Sequence, residues 1–148
     1  MSLNSVISQL EAERKKIWIN KPDDIKLMRT RKGARDQNLS IVIYSANDTG
    51  VLVEGLGFIR ALAKEDYTDL ATLVANAKKI MQFYGSRYKR YYSFEVLPNL
   101  VNASVEALEE VKTKNDFLRL LEALISYVGK LHYWIDLEIP WAKMTQGY

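Results

Sequence analysis

At 148 residues, with 48% apolar and 26% charged side chains, the chain has the size and composition of one globular domain that buries roughly two thirds of its unfolded surface. It holds no cysteine, which excludes disulfides, zinc–thiolate sites and a thiol nucleophile, and no apolar run of about eighteen residues, which excludes a helical membrane span. The N-terminus lacks the basic-then-apolar order of a signal peptide, so a soluble, cytoplasmic protein is expected; its net charge of +3 is small but unevenly distributed.

Asn4 to Ile19 reads as a first helix, with Val6, Ile7, Leu10 and Ile17 along one side. Pro22, Asp23 and Asp24 open a second, because proline loses nothing in a first turn and carboxylates complement the positive end of the helix dipole. Residues 39–58 admit two readings. Ile41 to Tyr44, the turn-like Asn47 to Gly50 and Val51 to Val53 suit a β-hairpin, whereas Leu52, Leu56, Ile59 and Leu62 recur at helical spacing. Helices over about Ala34–Ala46 and Val51–Lys64 are favoured, since a lone hairpin is marginal in a helical chain.

A long helix follows, opened by Asp66 or Thr68, bent at Gly85 and closed by Pro98, which starts the next. The segment Thr113 to Asp116 caps a final helix. There Phe117, Leu120, Leu121, Leu124, Val128, Leu131 and Ile135 form one stripe, widened by Leu118, Ile125, Tyr127, Trp134 and Leu137, so this helix is either central in a bundle or shared with another subunit. The expected fold is all-α: a single domain over residues 1–148, a bundle of five or six helices.

Two segments carry basic residues and no acid: residues 25–35, with Lys26, Arg29, Arg31, Lys32 and Arg35, and residues 78–94, with Lys78, Lys79, Arg87, Lys89 and Arg90. Such segregation is the footprint of a polyanion binder, and equally of a solvated face. At about 100° per residue, Phe83, Tyr84, Tyr88, Tyr91 and Phe94 fall within roughly 80° of Ile80, so the rings read as core, with Tyr92 alone off the stripe. Lys78, Lys79, Lys89 and Arg90 form a ladder about 18 Å long on the other side, suited to phosphates without sequence readout. Arg87 sits among the rings, and either packs there and pairs with an acid or reaches a phosphate bidentately.

Catalytic chemistry is not visible. His132 is the single histidine, which leaves no two-histidine metal site; the glycines of residues 55–57 lack a phosphate-loop order; and paired carboxylates such as Glu109 and Glu110 sit where solvated helix faces place them. The chain is expected to have no catalytic residue, metal or cofactor, and not to be an enzyme.

Residues Phe117 to Lys130, FLRLLEALISYVGK, resemble the signature of the small helical subunits of type III CRISPR effector complexes of the Csm kind, as does Phe83 with Arg87 four positions on. The segment GLGFIRALAKEDY is more similar to the Cmr small subunit, which leaves the branch open. That resemblance implies a non-catalytic, RNA-backbone-binding subunit that stacks with copies of itself and with other effector subunits along the guide RNA and target RNA. The implied RNA contacts are Arg29, Arg31, Lys32, Arg35, Lys78, Lys79, Arg87, Lys89 and Arg90. The alternatives are a DNA-binding regulator, with residues 34–64 as helix-turn-helix, and a structural protein that oligomerises through its last helix.

Overall fold

The computed structural model describes residues 2–30, 34–92 and 94–145. Six α-helices run in the order α1 Leu3–Ile17, α2 Asp23–Thr30, α3 Ala34–Ala63, α4 Leu70–Tyr91, α5 Val96–Ala107 and α6 Lys114–Thr145. A 3-10 turn at Leu108–Glu110 joins the last two, and no strand occurs among the described residues. The all-α bundle is thus as expected, with the hairpin excluded. No helix among the described residues is long and apolar enough to cross a membrane.

The break expected at Asn47 to Gly50 is absent, because two of its four residues, Asp48 and Thr49, gain a tertiary partner within one continuous helix. Asp48 meets Arg87 of α4; the Thr49 hydroxyl lies 2.9 Å from the Ser45 carbonyl and 2.8 Å from His132 Nδ1 of α6. Gly50 leaves room for that imidazole, since a Cβ there would come within 3.3 Å of His132 Cε1. Turn-forming residues favour a turn only while their side chains lack better partners.

Helix α6 occupies the centre, packed chiefly on α3 and α1 and more lightly on α5. Its predicted stripe from Phe117 to Ile135 is buried throughout, and Tyr127 with it. Of the other residues that widen it, Leu118, Ile125 and Trp134 are partly buried and Leu137 is half exposed. So the wide apolar girth of α6 serves the bundle itself.

Two polar groups close helix ends across the fold. Asp24, buried, accepts hydrogen bonds from the backbone N–H groups of Glu95 (2.8 Å), Val96 (3.0 Å) and Leu97 (2.8 Å), and thereby caps α5 from α2. Both aspartates lie in the first turn of α2 as expected; Asp23 remains exposed between Lys16 and Lys26, while Asp24 has the additional role of capping α5. Trp134 of α6 donates its indole N–H to the Ile17 carbonyl at 2.6 Å, which satisfies the end of α1.

Candidate interaction surfaces

Between α3 and α4, Arg87, the cation that sits among the rings of residues 78–94, finds its role. Arg87 Nε donates to Asp48 Oδ2 at 2.5 Å, and the Tyr92 hydroxyl donates to the same oxygen. Asp48 is buried, and its carboxylate holds the Arg87 guanidinium even more firmly protonated. Tyr88 lies beside this group with its hydroxyl buried. Burial first, and then the Asp48 charge, push the Tyr88 phenol well above its ordinary range; burial and the hydrogen bond to Asp48 do the same for Tyr92. Arg87 therefore has a structural partner of the kind its packing suggested, an acid from another helix.

The rings do not divide as the wheel predicts. Phe94 is buried as expected, but Tyr92, placed off the stripe, is buried too, because α4 ends at Tyr91 and both rings lie beside Tyr88. Phe83, placed in the stripe, is instead 61% exposed, and only its edge meets Tyr84. The side chain of Tyr91 lies outside the described residues.

Phe83 belongs to a larger apolar surface. On α3, Tyr44 (60% exposed), Val51 and Phe58 (67%) recur every seven residues and so remain on one side of the helix. Asp48 opposite Arg87 and Gly55 opposite Ile80 set the antiparallel register of α3 and α4, which brings Phe83 level with Val51. The result is a ridge about 21 Å long from Tyr44 to Phe58, carrying three exposed rings with the fourth helix contributing one of them. The seven-residue spacing was present in the sequence, but a helix break at residue 47 conceals it.

A smaller apolar strip lies at the junction of α1 and α6, where Trp18, Tyr133, Leu137 and Met144 are exposed. Lys130 Nζ sits 4.3 Å from the ring centres of both Trp18 and Tyr133, so this strip is partly covered by its own cation.

The basic ladder exists as expected in position. Lys79, Lys89 and Arg90 are exposed and Lys78 is half-buried, on a helix with no acidic residue from Leu70 to Tyr91. Lys89 and Arg90 also fall in the last turn, where they complement the negative end of the helix dipole. In the first basic segment Lys26 is exposed beside Asp23, while the side chains of Arg29, Arg31, Lys32 and Arg35 lie outside the described residues. Among the described residues no group of three or more histidine and carboxylate side chains could hold a metal ion.

The model of one protein family, the cucumopine synthase C-terminal helical bundle domain, matches residues 3–137. Comparison with curated proteins and with solved structures gives no match. The family match overturns the resemblance to type III CRISPR small subunits, and with it the role on guide and target RNA. Its strongest stretch misled for a physical reason: Phe117, Leu120, Leu121, Leu124 and Val128 are all fully buried, so they record the packing of a helical bundle and nothing about RNA. The helix-turn-helix reading falls as well, because α3 contains no turn. From helix order, core and match together, the chain belongs to the cucumopine synthase C-terminal helical bundle domain family.

Proposed function

We propose that the chain is a non-catalytic helical module that docks, through the α3/α4 ridge, on a catalytic partner of the cucumopine synthase type. The ridge carries the reading. Tyr44, Phe58 and Phe83, each more than half exposed, together with Val51, form a row of exposed apolar side chains of the kind that marks an interaction site. Aromatic anchors of this kind dominate binding energy at protein interfaces. The family name supports a partner: in a cucumopine synthase the bundle is the C-terminal part of an enzyme. The polar groups inside the bundle, Asp24, Asp48, Arg87 and Thr49, are engaged in holding helices together, which supports a scaffolding role.

A direct test is a cucumopine synthase that carries this chain in place of its own bundle. We expect that chimera to form cucumopine, the chain alone to form none, and Val51→Glu with Phe58→Glu to lower activity about tenfold or more at unchanged bundle melting temperature. Cucumopine formed by the chain alone, or a chimera indifferent to both glutamates, overturns the proposal.

A further inference from the structure

We infer that the crossing of α4 and α5 forms a binding site for a phosphate group, either free or as a small monoester. Gln82, Ser86 and Lys89 recur at i, i+4 and i+7 on α4, and with Arg90 and Asn102 they line an open cleft of about 330 Å³. That size reaches the lower end of small-molecule sites. Every polar side chain on its wall can donate a hydrogen bond, and none is a carboxylate.

Its floor depends on Gly85. A Cβ there would stand 3.0 Å from Asn102 Oδ1 and 3.2 Å from Val101 Cγ1, so the absence of a side chain lets α5 approach and brings Asn102 to the same cleft as Lys89. Two further cations, Lys78 and Lys79, lie along α4, and no acid on that helix offsets them. Glu95 and Glu106 lie seven and four residues from Asn102, on its side of α5, but the four cations of α4 outnumber these two carboxylates, and the balance favours anions at the cleft.

The number of donors selects the anion. A carboxylate has two oxygens and a single charge and is satisfied by one arginine. Two amides, a hydroxyl, an ammonium and a guanidinium match the three oxygens and greater charge of a phosphate. The wall from Gln82 to Arg90 is about 12 Å long, which suits one phosphate rather than a polymer track.

The experiment follows the side-chain NH₂ signals of Asn102 and Gln82 by NMR during titration with inorganic phosphate, methyl phosphate, and sodium chloride or acetate at matched ionic strength. Saturable shifts are expected with phosphate or its methyl ester and not with chloride or acetate; whichever of the two binds tighter identifies the source. Lys89→Gln with Arg90→Gln should weaken binding about tenfold or more, while Lys78→Gln with Lys79→Gln should change it by less than about threefold. Linear, unsaturable shifts, an equal response to acetate, or binding that survives the Lys89 and Arg90 changes would overturn the site. So would a single-stranded RNA that binds far more tightly than methyl phosphate and depends equally on all four cations. Because the cleft is distinct from the apolar ridge, its failure leaves the docking proposal standing, and the reverse holds.

Discussion

Replacing Asp24 with alanine tests the claim that α5 is capped from another helix. Helix α5 has no cap of its own: Glu95 occupies the N-cap position but makes no side-chain capping bond. Asp24 instead receives three N–H groups at 2.8–3.0 Å, and the one from Leu97 is buried beyond the reach of water. A hydrogen bond to a charged acceptor contributes about 1.5–3 kcal/mol, and a lost N-cap alone costs about 0.5–2 kcal/mol. Water can replace the partner of Glu95 N–H at the exposed edge, so the three bonds do not add fully. We therefore expect Asp24→Ala to cost about 3–4 kcal/mol, a large part of the stability of a domain this size, and to lower Tm by roughly 8–15 °C. Asp24→Asn, which keeps one acceptor oxygen, should cost about half as much. Asp23→Asn is the control: its pairs with Lys16 and Lys26 are exposed, at 3.6 and 3.7 Å, and its loss should cost under about 1 kcal/mol. Thermal melts followed by circular dichroism give the ranking, and hydrogen exchange should show the amides of Val96 and Leu97 losing protection first. An Asp24→Ala protein that melts within about 2 °C of the parent would refute the cross-helix cap.

Arg87→Met should lower stability by about 2–3 kcal/mol, because it leaves the buried Asp48 carboxylate with Tyr92 alone, and Asp48→Asn in the same chain should restore part of the loss; an unchanged Tm for the single variant would mean the ion pair contributes nothing. Stability should fall as pH rises above about 10, since unfolding lets Tyr88, Tyr92 and Tyr127 ionise at ordinary values while the fold holds all three phenols protonated; the slope approaches about 1.4 kcal/mol per pH unit for each. The part of the phenolate absorbance that belongs to these three of the nine tyrosines should then appear only together with loss of helix, and ionisation of all nine in an intact fold would contradict their burial. Gly129→Ala should raise stability by about 0.5–1 kcal/mol, because a Cβ at this helical position meets nothing within 4 Å; a lower Tm in the same melting assay would show an unrecognised contact there.

Local pattern by itself determined that this protein is a helical bundle. The apolar stripe of α6 from Phe117 to Ile135, the caps at its start and the breaks around Pro22 and Pro98 are short-range signals, and each acts within one or two turns. The basic face of α4 was legible for the same reason, as was the absence of a two-histidine metal site in a chain with one histidine. Tertiary structure decided whatever depended on a partner distant in sequence. Asn47 to Gly50 reads as a turn until Arg87 and His132 engage Asp48 and Thr49, and only the resulting continuous α3 aligns Tyr44, Val51 and Phe58 into a ridge. Tyr92 is buried against its predicted place because a helical wheel continues past the point where α4 ends, whereas Phe83, well inside α4, is exposed because no neighbouring helix covers that edge of its stripe. Asp24 caps α5 across more than seventy residues of chain. Buried aliphatic residues report that a helix is packed but not against what, which is why the core of α6 suited the wrong family as well as the right one.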